Sequence, residues 1–562
     1  MTGTAADMLE TDVIIVGAGF SGCYSLHKIR EAGFSAKILE RGDDFGGVWH
    51  FHRYPGARVD SDTPAYQFSL PKVWADFHFT ERFPGHEEIR RYFHHVEATL
   101  DLRKDTIFDA RVDEYAIFAC GSMNKPYIPP FPNQNTFGGQ IVHPSEWPSD
   151  LELAGKRVGI VGQGASGLQI VQELAKLECK LTVFVRNPCI AVPMHQRQLS
   201  YRESEEMKHY YDAIFAQAKL KSFSALPYNQ NTELVRCATE AERDRLFEQL
   251  WNRGGLGLTQ SNFRDIAFDK TANACLYDFW VRKTRSRMTD RKKMDIVAPL
   301  KQFEWFGSAR VNLEMSYYEA LDQANVELVD LKKTPIDAFD EHGILTGPPD
   351  AATHHDLDLV IMATGYDCIT GSLLDMNIHD KNGGRLNEAW KSGISTYLGM
   401  MIPNMPNAFM VYGPQGPTTQ TNAPPFIELQ VDWVVSLLER MRKDNLHSIE
   451  PLNESCRSWK DLVMDAFESS IFCESTAWWT GANIPHKRIE PLIYLGGVQR
   501  WRELCSQSLD DWANFVVLWT GANIPHKRIE PLIYLGGVQR WRELCSQSLD
   551  DWANFVVSKV EG

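Results

Sequence analysis

Gly17-Ala18-Gly19-Phe20-Ser21-Gly22 follows the apolar run Val13–Val16 and opens a stretch with helical periodicity. Gly17, Gly19 and Gly22 at this spacing permit a tight turn and let backbone N–H groups approach a pyrophosphate at a helix N-terminus. Ser21 lies in the same turn. Glu40 closes the next apolar segment, where a carboxylate can accept from a ribose hydroxyl. A second copy, Gly162-Gln163-Gly164-Ala165-Ser166-Gly167, follows KRVGIVG, and Gly162, Gly164, Ser166 and Gly167 repeat the pattern. Its next strand, 181–186, ends in Arg186 rather than an acid. A guanidinium cannot accept a ribose hydroxyl but can hold a 2′-phosphate. The first unit therefore suits FAD and the second NADPH. Two such sites in one chain imply hydride transfer from nicotinamide to flavin.

These turns need strand–helix units to hold them. DVIIVG (12–17), AKILE (36–40), KRVGIVG (156–162), LTVFVR (181–186) and DLVIMATG (358–365) read as buried strands. Leu168, Val171 and Leu174 have helical spacing, as does VDWVVSLLERM at 431–441. Residues 200–300 read as a helical, irregular excursion. The expected class is α/β: two Rossmann-like dinucleotide-binding domains, with a discontinuous FAD domain and an inserted NADPH domain.

With 562 residues, 43% of them apolar and 23% charged, the chain has ample core and excludes disordered and fibrous classes. The net charge of −15 argues against a general binder of nucleic acid or anionic membrane. The cluster Arg282 to Arg287 with Arg291-Lys292-Lys293 reads as a solvated face. No apolar run is long enough to span a membrane. The polar start suggests neither signal nor transit peptide. Eleven cysteines without a CxxC argue against a disulfide framework or zinc ribbon and fit a cytoplasmic, reducing setting. No metal-ligand spacing stands out. Trp479 to Val517 recur unchanged as Trp519 to Val557. Two identical terminal copies are unlike a solenoid, whose repeats diverge and number at least three.

Phe137-Gly138-Gly139-Gln140-Ile141-Val142-His143-Pro144-Ser145-Glu146-Trp147-Pro148, between the two glycine motifs, resembles the FxGxxxHxxxWP fingerprint of Baeyer–Villiger monooxygenases. Related N- and S-oxygenating flavin monooxygenases usually end this motif in Phe or Tyr. The likeness covers nearly the whole chain. Gly46-Gly47-Val48-Trp49 and Arg53 to Asp60 look like the family's flavin-contact segment, so Val48, Trp49, Arg58, Asp60 and Tyr66 carry over as cofactor-side residues. Ala363 to Asp367 looks like the strand returning to the FAD domain. Gly413-Pro414 with Asn422 resembles a later flavin-side segment. Trp478 to Asn483 resembles the nicotinamide-side loop.

The resemblance implies residues 1–151 as the first part of the FAD domain, including the linker fingerprint at 137–148. It implies 152–340 as the NADPH domain, 341–518 as the FAD return and substrate-side segment, and 519–562 as an appendage. The family loop has Trp at the position of Trp478, where the second copy has Leu518, so the first copy is the complete one.

Gly307-Ser308-Ala309-Arg310 resembles the family's GTKR-type segment. By that likeness Arg310 is catalytic, with Asp60 orienting it. The implied reaction inserts one oxygen of O2 beside a ketone carbonyl by way of a C4a-peroxyflavin, giving an ester or lactone. A bulky ketone of specialised metabolism is the implied substrate, without nucleic-acid or membrane partners.

Three departures stand out. Ala309 replaces a family Lys at the 2′-phosphate, and Asn187 replaces the Thr beside Arg186. Asp109 to Glu114 abuts Tyr115 to Gly121 where relatives insert a β-meander, so apolar area on the FAD domain is expected to be exposed. Two alternatives stay open: an N- or S-oxygenating flavin monooxygenase, or a catalytically dead flavoprotein paralogue.

Overall fold

The computed structural model describes residues 11–110, 117–510 and 512–519. The junction at 111–116 and the second copy beyond Trp519 lie outside the described residues.

Val13–Val16 (β1) is buried at all four positions, as a parallel strand covered on both faces must be. It pairs in parallel with Ala36–Leu39 (β2) on one side and Ile117–Phe118 (β4) on the other. Thr106–Ile107 (β3) completes the order β3-β2-β1-β4. Helix Phe20–Glu31 leaves the first glycine turn and packs against the long helix Ala423–Lys443, where Tyr24 Oη donates to Asp432 at 3.0 Å.

The second sheet repeats this plan. Gln140–Val142 (β5), Arg157–Val161 (β6), Lys180–Val185 (β7), Val326–Asp330 (β10) and Leu359–Met362 (β14) run in parallel in the order β10-β7-β6-β14-β5. Helix Ala165–Leu174 leaves its glycine turn. In both sheets the chain winds outward from the strand before the glycine turn, β1 or β6, and later returns on that strand's other side. The resulting switch point opens a crevice at the strands' C-terminal ends.

The segment 358–365 corrects the expected boundary at 340. β14 does not open a return to the first sheet. It fills the second sheet between β6 and β5, with all four residues buried. The reason is a matched packing: a Cβ on Gly162 would stand 2.4 Å from the Ala363 carbonyl oxygen, as one on Gly17 would stand 2.7 Å from that of Ala119. The linker strand β5 likewise adds to the edge of the second sheet.

Antiparallel strands Ile336–Phe339, Gly343–Thr346 and Thr353–Asp356 (β11 to β13) cover one face of the second sheet through Phe339 and Ile344. Beside the first sheet, Arg103 stacks over Phe45 and Phe108. Ile117 and Phe118 are buried, and the large apolar side chain left open on β3 and β4 is Ile107.

Ala191–Pro193 (β8) and Asn312–Glu314 (β9) pair in parallel and bracket the helical excursion, whose longest helices are Glu240–Arg253 and Lys270–Arg285. The basic cluster is paired internally: Arg282 with Asp244, Lys283 with Glu248, Arg285 with Asp295, and Arg287 with Glu314 and Glu319. The first copy of the repeated block belongs to the fold. Trp501 is buried and donates to the Leu398 carbonyl at 2.9 Å, and Phe515–Trp519 (β16) pairs antiparallel with Leu446–Pro451 (β15). No described helix is long and apolar enough to cross a membrane.

Candidate functional site

The two crevices merge into one cavity of about 1440 Å³. A single drug-sized ligand typically occupies about 300–1,000 Å³, so the space admits more than one. Of the residues singled out above, Gly17, Gly19, Ser21, Glu40, Val48, Trp49, Arg58, Asp60 and Tyr66 line it from the first unit. Gly162, Gly164, Ser166, Arg186 and Asn187 line it from the second, and Arg310 and Trp478 close it.

Gly22 and Gly167 do not line the cavity. A Cβ on Gly22 would meet the Gly17 carbonyl oxygen at 1.8 Å, and one on Gly167 that of Gly162 at 2.3 Å. Their task is to seat each helix against its own turn. The fingerprint at 137–148 also stands off the cavity. His143 Nε2 lies 3.1 Å from the Gly365 carbonyl, and its ring meets Tyr366 edge-on at 5.1 Å. The motif thus pins the loop after β14. Gly413, Pro414 and Asn422 are likewise outside the cavity wall, although Thr419, Thr421 and Ala423 of the same loop line it.

The loop 52–60 joins the two halves. Tyr54 Oη donates to Gln169 Oε1 at 2.9 Å, and Gly56, at φ 80°, lies so close that a Cβ would stand 2.9 Å from the Gln169 carbonyl oxygen. That loop ends at Asp60. Asp60 Oδ2 accepts from Arg310 Nε at 2.5 Å and Oδ1 from Nη2 at 2.9 Å, while Arg310 Nη1 donates to the Thr419 carbonyl. Three separate segments thus fix one guanidinium in the cavity wall. Burial disfavours its charge, but the Asp60 carboxylate outweighs burial and holds Arg310 above its ordinary pKa.

Glu40 accepts from Ala18 N at 2.6 Å and Gly42 N at 2.7 Å. Each carboxylate oxygen keeps a further lone pair for a ribose hydroxyl. Arg58 donates to Glu81 and to the Phe83 carbonyl. Trp49 Nε1 donates to Tyr66 Oη at 3.1 Å. At the far side Trp478 lies 5.6 Å from buried Trp479, and Asn483 Nδ2 donates to the Tyr366 carbonyl.

Several lining residues escaped the sequence reading. Gln163 is 5% exposed, and neither amide atom has a protein partner, so it presents a free donor and acceptor. Its place between two motif glycines is the signal that could have found it. His52 stacks on Tyr366 at 5.2 Å, and burial drops its pKa to about 4, so its ring is neutral. Glu304 is pushed up by burial to about 7, against the weaker opposing pull of Lys332. Above the ordinary carboxyl pKa, folded Glu304 keeps a proton that the unfolded chain has lost. Its contribution to stability therefore falls as pH rises from about 4.5 to about 7 and is level beyond. Glu304→Gln is expected to match the parent in urea denaturation at pH 4 and to exceed it by roughly 2–4 kcal/mol at pH 8. Equal stability at pH 8 would refute this.

The site fits two dinucleotides. It offers two glycine cradles in which a Cβ on Gly17, Gly22, Gly162 or Gly167 would strike backbone, an acid at one strand end, a cation at the other, and unpartnered polar atoms on Gln163, Thr419 and Asn483. Among the described residues no cluster of three or more His, Cys, Asp or Glu could hold a metal ion.

Residues 11–211 match the pyridine nucleotide-disulphide oxidoreductase family. Cyclopentanone 1,2-monooxygenase of Comamonas sp. is 36% identical over 89% of this chain and 94% of its own length. A Baeyer–Villiger monooxygenase of Pseudooceanicola batsensis is 32% identical over 88% and 94%. The chain belongs to the Baeyer–Villiger monooxygenase family. Among solved structures, cyclohexanone monooxygenase from Rhodococcus sp. Phi1 bound to NADP+ superposes with a TM-score of 0.86 at 31% identity, covering 91% of this chain and 99% of that one.

Proposed function

We propose that this family member is an FAD-dependent, NADPH-consuming monooxygenase that converts a ketone to an ester or lactone. The observation that carries this reading is the Arg310 guanidinium, held by Asp60 and the Thr419 carbonyl in the wall of a cavity shared by both glycine motifs. When bound, flavin reduced by NADPH activates O2 and delivers one oxygen atom to the substrate.

The chain's own residues do the rest. Gly17, Gly19 and Ser21, with Glu40, Val48, Trp49, Arg58 and Tyr66, would hold FAD. Gly162, Gly164, Ser166, Asn187 and Trp478 would hold NADPH, with Arg186 on its 2′-phosphate. Gly22 and Gly167 serve both sites indirectly by packing. Arg310 opposes the negative charge that develops on a ketone oxygen under attack, and Asp60 keeps the guanidinium oriented. The merged cavity would keep water from the reacting atoms. The intact Asp60–Arg310 pair favours this reading over a dead paralogue. Free cysteines among the described residues suit a reducing, cytoplasmic setting.

The test uses the full chain loaded with FAD, NADPH, 18O2 and a cyclic ketone. A lactone carrying one labelled oxygen is expected, with NADPH consumption stimulated by the ketone. NADPH consumption yielding only hydrogen peroxide, or oxygenation confined to amines and sulfides, would refute the reading.

A further inference from the structure

Thr419 has φ 61°, a left-handed backbone that a β-branched residue adopts only where its surroundings impose it. Two contacts impose it here. The Thr419 N–H donates to Tyr412 Oη at 3.1 Å, and its carbonyl accepts from Arg310 Nη1. The phenol is itself anchored. Tyr412 Oη donates to the Thr421 carbonyl at 3.4 Å, its backbone N–H donates to Gln430 Oε1 at 2.7 Å, and its ring meets Phe426 edge-on at 6.2 Å. Tyr412, Thr419, Asp60 and Arg310 all line the cavity.

Asp60 alone cannot fix the guanidinium. It engages Nε and Nη2 from one side, and its own side chain is 34% exposed, so it leaves Nη1 unheld. The contact at Nη1 comes from a different segment and fixes the third corner of the guanidinium. It exists only while Thr419 keeps its unfavourable backbone.

We propose that Tyr412 is a positioning residue for Arg310: its hydroxyl holds Thr419 left-handed, so that the Thr419 carbonyl locks the guanidinium in the cavity wall. Burial raises this phenol above its ordinary pKa, so it stays both donor and acceptor. The proposal rests on the role given to Arg310 above.

Tyr412→Phe keeps the ring and removes the hydroxyl. The kcat for ketone oxygenation is expected to fall about five- to tenfold, as for loss of one hydrogen bond. Both KM values and bound FAD are expected to stay at parent values, with more hydrogen peroxide per NADPH. In nucleotide-free protein, the peptide containing Thr419 is expected to exchange its amide hydrogens faster. Thr419→Gly added to Tyr412→Phe is expected to restore most of the kcat, because glycine takes a positive φ without a tether. A packing role would not be rescued in that way.

An unchanged kcat, unchanged exchange, loss of FAD in Tyr412→Phe, or failure of the glycine rescue would each overturn the proposal. Arg310→Ala run in parallel separates the two ideas. If it is inactive on ketone while Tyr412→Phe matches the parent, only the tyrosine's role falls. If it remains active, the role of Arg310 itself falls.

Discussion

Arg310→Ala is expected to lower ketone oxygenation about 10²–10³-fold in kcat, while NADPH oxidation continues with release of hydrogen peroxide. The size is that of losing one preorganised charge beside a developing oxyanion, about 3–4 kcal/mol. The defect should lie in kcat rather than in binding, since the glycine cradles, Glu40 and Arg186 are untouched. Asp60 is left without its partner but is 34% exposed, so water can solvate it and the fold should survive. Arg310→Lys keeps the charge but cannot make the two-point contact with Asp60, so partial activity is expected. A sulfide substrate completes the test, because sulfoxidation by an electrophilic oxygen donor does not need the guanidinium. Loss of ketone product with retained sulfoxide supports the assignment. Equal loss of both would point to a damaged flavin site, and retained ketone oxygenation would refute it.

Gly22→Ala is expected to yield protein without flavin. The added carbon would stand 1.8 Å from the Gly17 carbonyl oxygen, a backbone atom that cannot step aside as a side-chain end could. Helix Phe20–Glu31 must move off the turn, at a cost of about 3 kcal/mol or more, and the turn loses its shape. Gly164→Ala makes the instructive contrast. A Cβ there meets nothing within 4 Å, and Gly164 lines the cavity. That variant should melt like the parent and keep its FAD, yet show a raised KM for NADPH, because the methyl group occupies space the pyrophosphate needs. Absorbance of the purified proteins at flavin wavelengths, thermal melts and NADPH titration measure all three quantities. Normal flavin content in Gly22→Ala would refute the packing argument.

The glycine motifs were legible in the sequence because a βα turn imposes its demands within a few residues. Arg186 could be read against Glu40 for the same reason, since each sits at the end of the strand after its turn. Arg310 was legible only through resemblance, as nothing local distinguishes it from the other arginines. The misassigned strand at 358–365 shows the limit. Its apolar run said that it is buried, but four buried residues fit either sheet equally well. The contact of Ala363 with Gly162 decided between them.

By itself the sequence determined that two nucleotide-type units exist and which strand carries each glycine turn. These properties follow from backbone conformations and residue types set over short spans. Only the tertiary structure decided that the units share one cavity, that Asp60, Arg310 and Thr419 meet there, and that Gln163, His52, Glu304 and Tyr412 join them. The contacts of Arg310 with Asp60 and Thr419 link residues 250 and 109 positions apart. They depend on how whole sheets and loops pack, and no local pattern encodes that.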